Sequence, residues 1–187
     1  VREADIPIRI KNTFRPEDKG TDILPTSRYT YSGRRVTGIA GKKNFTVIFL
    51  EKSLMNEEIG FTYRTLAVFM KHGISFEHIP TGIDTMSFVI DSAELKGGLL
   101  EEMCDEIRDA VKPDSLRVIN DIALIAVVGH GMTRSVGVSA RLFEAIARAG
   151  VNVRMIDQGS SELNIIVGVD NENYERTLKA VYEEFFD

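Results

Sequence analysis

Cysteine is almost absent from this sequence, and its scarcity excludes two kinds of structure. The 187 residues include one cysteine, Cys104, so neither an internal disulfide nor a thiolate-ligated metal cluster is possible. Its neighbours Met103 and Ile107 favour a small buried hydrophobic residue over a nucleophile. Such sparing use of cysteine is typical of proteins in reducing compartments, and we expect a cytoplasmic protein.

Long apolar runs and an excess of basic residues are also missing. No stretch approaches the roughly 18 residues that span a bilayer, and no signal peptide is visible, so we expect no membrane partner. The formal net charge is -5, whereas a nucleic-acid-binding domain would show a basic face, so we expect no nucleic-acid partner. The hydrophobic content of 43% is ordinary for a globular protein with a real core.

The sequence lacks the usual motifs of catalysis. No G-x-x-x-x-G-K-[ST] phosphate loop occurs, and the glycine-containing residues 38–43 lie between two predicted strands without a helix N-terminus to hold a phosphate. The three histidines, His72, His78 and His130, lack the i,i+4 spacing of a helical metal pair. We therefore predict no catalytic residue, no metal site and no cofactor in this chain.

What the sequence does contain is an internal repeat. Residues 45–91 align without a gap on residues 122–168, at a constant shift along the chain. Identical residues meet at several aligned positions: Met55 and Met132, Gly60 and Gly137, Arg64 and Arg141, Gly73 and Gly150, Ile79 and Ile156, Gly82 and Gly159. The chain is therefore predicted to hold two copies of one module.

Both copies have the same order of predicted elements. The first comprises strands at 45–51, 76–81 and 85–91, and helices at 61–72 and from about Lys96 to Pro113. The second comprises strands at 123–128, 153–158 and 163–169, and helices at 138–149 and from Tyr174. One further strand precedes each copy, at 36–40 and 116–119. Each module then reads βαββαβ, an α+β ferredoxin-like fold in which an antiparallel sheet carries its helices on one face.

Four strings carry a resemblance to a known family. They are IPIRIKNTFRPEDKGT at 6–21, VTGIAGKKNFTVI at 36–48, ISFEHIPTGID at 74–84 and GSSELNI at 159–165. In this order, and along essentially the whole chain, they resemble the C-terminal part of monofunctional aspartate kinases. The resemblance implies the end of a kinase domain and a linker at 1–35, a first ACT module at 41–115, and a second ACT module at 36–40 plus 116–187. The first module is thus inserted into the second, whose sheet residues 36–40 should join.

The resemblance also implies a function. Aspartate kinases phosphorylate L-aspartate with ATP and magnesium in the first step towards lysine, threonine and methionine, and their catalytic residues precede the matched region. Their ACT modules pair between subunits and bind lysine or threonine for feedback inhibition. We therefore expect a non-catalytic regulatory fragment that forms a homodimer; a strand predicted almost at the first residue, at 6–10, agrees with a fragment. The alternatives are a stand-alone ACT-type amino-acid sensor without a kinase and a purely structural dimerisation unit.

An amino-acid site needs acceptors for the ammonium group, donors for the carboxylate and a selector for the side chain. The loop at 54–60 precedes a predicted helix, whose first N–H groups suit a carboxylate. From the family's motif positions, the resemblance implies an effector site with these residues: Met55, Gly60, Phe61, Glu77 and Thr81, with Ser160, Ser161 and Glu162 supplied across the dimer interface. Asp84 is a further candidate acceptor.

Structural roles stay open for part of this set: Met55 and Phe61 suit a core, Glu77 an exposed strand face, and Ser160 and Ser161 a turn. Comparing the copies favours the first module as the receptor, because Glu77 falls on Arg154, whose like charge would repel an ammonium group. We therefore predict one effector per chain. Lysine is favoured over threonine because its second ammonium would engage Glu77 and Asp84 separately.

Overall fold

The computed structural model describes residues 1, 3–25, 28 and 33–187, and these form two units, Val1–Arg34 and Arg35–Asp187. In the first unit, β1 (Ile8–Ile10) pairs antiparallel with β2 (Thr21–Ile23). The strand predicted at 6–10 is therefore present, although shorter. Part of the predicted linker, at residues 26, 27 and 29–32, lies outside the described residues.

The second unit contains the two copies of the repeat. Its elements are β3 (Gly38–Glu51), α1 (Phe61–His72), β4 (Thr85–Asp91), α2 (Leu99–Val111), β5 (Ser115–Val128), α3 (Val138–Arg148), β6 (Met155–Asp157), β7 (Asn164–Asp170) and α4 (Tyr174–Phe186). The strands form one five-stranded sheet in the order β4-β3-β5-β7-β6, and each neighbouring pair is antiparallel. The predicted α+β class with antiparallel strands is confirmed. Among the described residues, no helix has both the length and the apolar character needed to cross a membrane.

Two long strands are shared by both modules. Residues 38–42 of β3 pair with residues 124–128 of β5. Beyond a register shift, residues 47–51 of β3 pair with residues 115–119 of β5. The strand at 116–119, which we assigned to the second module, thus pairs within the first. The reason is topological: a strand that follows α2 completes the βαββαβ order of the first module.

We call the part built from 45–51, 115–119, β4, α1 and α2 the first half. The second half comprises 38–42, 122–128, β6, β7, α3 and α4. The pairing of the two long strands is irregular where the halves meet: the register shifts there, and Asn44 and Asp121, which occupy equivalent positions in the repeat, have positive φ angles of 68° and 58°. The two halves are therefore related by a local symmetry that the sequence repeat encodes.

Each half buries its own helices against one face of the sheet. In the first half this core centres on Phe69 of α1 and Phe88 of β4; in the second it centres on Leu142 of α3 and Val167 of β7. A third buried cluster lies on the helix-free face and draws on both halves: Phe45, Val47, Val89, Ile122 and Leu124. The helix-free faces of the two halves therefore cover each other within one chain.

One predicted strand is irregular. Residues 76–81 form only two isolated bridges, from His78 to Val89 and from Thr81 to Met86. Pro80 has no N–H to donate, so a regular ladder is interrupted there, although its carbonyl still accepts from the Ser87 N–H at 2.9 Å. The segment runs beside β4 as the other arm of the predicted hairpin. By contrast α1 has its predicted bounds, and Gly73 ends it in the left-handed conformation, with φ 65°, as expected.

Candidate functional site

A cavity of about 250 Å³ lies at the start of α1. Four of the predicted site residues, Met55, Gly60, Phe61 and Thr81, line it together. The remaining lining residues are Asn56, Glu58, Thr62, Tyr63, Gly82 and Met86. We refer to this cavity as the α1 pocket. It joins the loop before α1 to the hairpin arm at 76–81, which is where the sequence analysis expected a site.

The backbone around Gly60 opens the N-terminal end of α1 towards this pocket. A short 3₁₀ turn at Met55–Glu57 leads to Gly60, whose φ of 82° is a left-handed value that favours glycine. No side chain caps the helix, and the amide groups of Thr62 and Tyr63 lie in its first turn, where no intrahelical acceptor exists. These N–H groups and the positive end of the helix dipole suit a carboxylate.

The floor of the α1 pocket is part of the hydrophobic core. Met55, Phe61 and Met86 are 5%, 2% and 2% exposed, and all three belong to the buried cluster of the first half. The core role that the sequence left open for Met55 and Phe61 is therefore real, and both side chains also line the pocket.

One wall of the pocket carries a charged group that the sequence analysis missed. The Glu58 carboxylate accepts hydrogen bonds from the Lys52 ammonium, at 2.5 Å, and from the Arg64 guanidinium. The bond from Lys52 is the main reason why the pKa of Glu58 lies below its ordinary value. Lys52 also donates to the Val111 carbonyl at 2.6 Å, which ties the wall to the end of α2. The only sequence signal for Glu58 was that the repeat places Ser135 opposite it.

Asp84 supports the pocket from behind and does not line it. Its Oδ1 accepts a hydrogen bond from the Leu54 N–H at 2.9 Å, and its carbonyl accepts one from the Lys52 N–H at 2.9 Å. Asp84 therefore fixes the loop that precedes Met55.

Glu77 lies elsewhere, although the sequence analysis placed it beside Thr81. The Phe76 ring meets the rings of Phe69 and Phe88 on the helix side of the sheet, with centroids 5.7 and 5.9 Å apart. Because side chains alternate along an extended segment, the next residue, Glu77, faces the helix-free side and lines a separate cavity. The alternation is interrupted at Glu77 and His78, which both bond to Val89 and line the same cavity, so Thr81 lies on the helix side and reaches the α1 pocket.

The last three predicted residues form the turn before β7. The Ser161 hydroxyl accepts from the Leu163 N–H at 3.5 Å, and Ser160 lies in the same turn. The Glu162 carboxylate accepts from the Arg134 N–H at 2.6 Å, so it holds the loop before α3 much as Asp84 holds the loop before α1. The predicted set thus divides among the α1 pocket and its support, the separate cavity that Glu77 lines, and this turn.

The equivalent place in the second half has different chemistry. Gly129 and Ser135 stand where the first half has Lys52 and Glu58, so the charged wall is missing. Ser135 instead donates to the Gly131 carbonyl at 2.6 Å, and Arg141, the counterpart of Arg64, pairs with Glu184 at 2.7 Å. The two halves share a fold but not a pocket lining.

This fold matches a known class of domain. The ACT domain family model matches residues 125–185, which lie in the second half. The likeness to ACT domains extends to solved structures of aspartate kinases. The aspartate kinase of Clostridium acetobutylicum superposes with a TM-score of 0.92 at 44% identity, covering 98% of this chain and 42% of that one.

Proteins with a similar sequence are also aspartate kinases. Aspartokinase 3 of Bacillus subtilis is 37% identical over 183 residues, which cover 98% of this chain and 40% of that protein. A structure described as a putative C-terminal regulatory domain of aspartate kinase from Porphyromonas gingivalis has a TM-score of 0.64 at 26% identity, covering 80% of this chain and 97% of that one. E. coli aspartokinase III, solved in complex with lysine and aspartate, shares the fold at 22% identity, with a TM-score of 0.79 over 100% of this chain and 40% of that one.

The chain is therefore a homologue of aspartate kinases and has the tandem ACT fold of their regulatory domains. It spans about 40% of the length of Bacillus subtilis aspartokinase 3.

Proposed function

We propose that this chain is the feedback-regulatory region of a cytoplasmic aspartate kinase, an enzyme that phosphorylates L-aspartate with ATP and magnesium. Residues 1–35 would close the kinase domain, and the α1 pocket would bind an end-product amino acid. The observation that supports this most directly is the convergence of Met55, Gly60, Phe61 and Thr81 on one pocket at a helix N-terminus, in a homologue of aspartate kinases.

The lining of the α1 pocket suggests how an amino acid would bind. Its carboxylate would accept hydrogen bonds from the Thr62 and Tyr63 amides, and its ammonium would face the Glu58 carboxylate and the Thr81 hydroxyl. We favour lysine over threonine, because a long cationic side chain has a use for a second acceptor. The partner's turn at Ser160, Ser161 and Glu162 would supply that acceptor across a homodimer interface.

Filling the pocket should abolish effector binding. The Thr81→Phe variant places a ring at the mouth of the α1 pocket, and we expect its affinity for lysine to fall at least about tenfold, which corresponds to about 1.4 kcal/mol. Gln158→Phe is the matched control, since Gln158 is exposed and occupies the equivalent position in the second half. Calorimetric titration with lysine, and separately with threonine, measures both variants.

The control separates the possible receptors. We expect each chain to bind one effector molecule. This binding should be lost in Thr81→Phe and retained in Gln158→Phe. Equal loss in both variants would mean that the two halves bind together, and loss in Gln158→Phe alone would assign the receptor to the second half. No heat with any common amino acid would leave a purely structural dimerisation unit as the better reading.

Catalysis is expected to be absent from this chain by itself. Neither a phosphate loop nor an ordered set of catalytic residues was found in its sequence, and aspartate kinases are expected to keep these groups outside the matched region. The purified chain should therefore neither phosphorylate aspartate nor bind ATP. Stoichiometric binding of ATP in a calorimetric titration would contradict this assignment.

A further inference from the structure

Three candidate metal ligands meet between the two helices of the first half. His72 is the last residue of α1, whereas Glu102 and Glu106 lie on α2. One ligand atom from each residue, an imidazole nitrogen or a carboxylate oxygen, lies within 4.8 Å of the ligand atoms of the other two. Within the described part of the chain, no other group of three histidine, cysteine or acidic residues has this geometry. We call these three residues the helix-pair cluster.

The histidine spacing in the sequence did not indicate this cluster, because its donors come from two helices. Glu102 and Glu106 are four residues apart, so both carboxylates project from one face of α2. That face meets the last turn of α1, where His72 supplies a nitrogen. A search for two histidines on one helix therefore cannot find a set in which a histidine on one helix faces two glutamates on the next.

The distances within the cluster suit a single ion. The His72 Nε2 and the Glu106 Oε1 are 3.2 Å apart. Two ligand atoms that each lie about 2.0 Å from a tetrahedral zinc ion are separated by about 3.3 Å. The two atoms therefore already have the spacing of neighbouring ligands. Glu102 is exposed, so rotation of its side chain is enough to bring its oxygen to the same ion.

The charges around the cluster also favour a cation. Two carboxylates four residues apart on a helix repel each other, and a divalent ion would remove this repulsion. At present the Lys71 ammonium lies 2.6 Å from the Glu106 Oε1. Lys71 is 63% exposed and can turn into solvent, whereas the His72 side chain is only 10% exposed and is fixed in place. Lys71 is thus a removable competitor for the same oxygen.

The second half has no such donor set at the equivalent place. The repeat aligns His72 with Ala149, which lines a cavity between α3 and α4 together with Arg176 and Ala180. A methyl group cannot bind an ion, and the Arg176 guanidinium would repel one. The helix-pair cluster is therefore a property of the first half, and we expect one ion per chain.

We propose that the helix-pair cluster binds one divalent transition-metal ion, such as Zn²⁺, which joins the C-terminal end of α1 to α2. His72 binds through Nε2, with its proton on Nδ1, and each glutamate supplies one oxygen. Water fills the fourth position, and the Lys71 ammonium moves into solvent. The α1 pocket lies at the other end of a 12-residue helix, about 18 Å away, so this site does not depend on the proposed effector.

Zinc and cobalt titrations of the whole chain test the site. The chain should carry no polyhistidine tag, because a tag would bind the same ions. We expect one equivalent of Zn²⁺ to bind at micromolar concentration in calorimetry. Co²⁺ should give the intense visible absorption of a tetrahedral ion, and Zn²⁺ should displace it. Mg²⁺ should bind much more weakly, because it prefers six oxygen ligands.

Variants assign the ligands. His72→Gln and Glu102→Gln should each weaken Zn²⁺ binding at least about tenfold, since even the loss of a residue that only orients a ligand costs about that much. Glu101→Gln is the matched control: it removes the same charge from a neighbouring exposed position on α2 and should change the affinity little. Lys71→Gln should tighten binding, because it removes the ammonium that competes for Glu106. Circular dichroism checks that each variant is folded.

Stoichiometric Zn²⁺ binding that is weakened in His72→Gln and Glu102→Gln, retained in Glu101→Gln and tightened in Lys71→Gln supports the proposal. Four results would overturn it. They are the absence of saturable binding at millimolar Zn²⁺, undiminished binding in His72→Gln, equal weakening in Glu101→Gln and Glu102→Gln, and binding that Lys71→Gln does not tighten. Because Glu102 is exposed, its variant keeps the test decisive even if His72→Gln does not fold.

Discussion

The Phe88→Ala variant is expected to lose about 3–5 kcal/mol of its free energy of unfolding. Phe88 is fully buried in β4, and its ring stacks on Phe69 with centroids 4.5 Å apart. Truncation removes this contact and the edge-on contact with Phe76, and it leaves a cavity in a close-packed core. Urea unfolding followed by circular dichroism measures the change.

A matched variant in the second half tests whether the halves unfold together. Ile165 is the repeat equivalent of Phe88 and is 1% exposed in the other core, so Ile165→Ala should cost about 2–5 kcal/mol. Because β3 and β5 run through both halves, we expect each variant to shift one common transition. Two separate transitions, each moved by only one of the variants, would show that the shared strands do not couple the halves.

The repeat explains why so much of the fold was predictable from the sequence. Local signals set the helices: apolar spacing covers α1 from Phe61 to His72, and Gly73 marks its end with a left-handed conformation that most other residues resist. Because the same pattern occurs in both copies, each predicted helix or strand is supported by its counterpart in the other copy. These signals act within a few residues, which is the range over which a sequence pattern is reliable.

Long-range pairing was less predictable. Nothing within residues 116–119 says whether they pair with 47–50 or with the second half, because either partner offers an equivalent strand edge. The sequence also did not indicate that the two helix-free faces cover each other. The alternation of side chains in β3 shows that Phe45 and Val47 face away from the helices, but not what they pack against. Both features depend on contacts between residues far apart in sequence.

The candidate site was predicted in part for the same reason. Met55, Gly60 and Phe61 lie close together along the chain, so their convergence follows from one loop and one helix start. The side on which Glu77 lies depends on the packing of Phe76 against α1 and on the irregular pairing of Glu77 and His78 with Val89, and neither is a local sequence pattern. The charged wall at Glu58 was missed because Lys52 and Arg64 reach it from different elements.

Exposed apolar side chains mark the surface where a homodimer would form. Ile59 and Val136 are 95% and 91% exposed, and they occupy equivalent positions in the loops before α1 and α3. Three apolar residues near the α1 pocket are exposed as well. Tyr63 lines the pocket and is 76% exposed, and Leu54 and Ile83, the chain neighbours of the lining residues Met55 and Gly82, are 63% and 71% exposed. Exposed apolar residues at the tips of loops are candidate contact residues of an interface.

An aspartate at either loop tip should therefore dissociate the proposed dimer. If the first half of one protomer meets the second half of its partner, Ile59 and Val136 both lie in the interface, and each appears twice in an isologous contact. Burying a carboxylate there is costly, so Ile59→Asp and Val136→Asp should each raise the dimer dissociation constant about 100-fold or more, equivalent to about 2.8 kcal/mol. Met70→Asp is the control, because Met70 is 77% exposed on α1 outside these loops. Sedimentation equilibrium measures the dissociation of each variant. An effect of Ile59→Asp alone would mean that the first halves pair with each other. A parent chain that is monomeric at micromolar concentration, with or without lysine, would contradict the dimer itself.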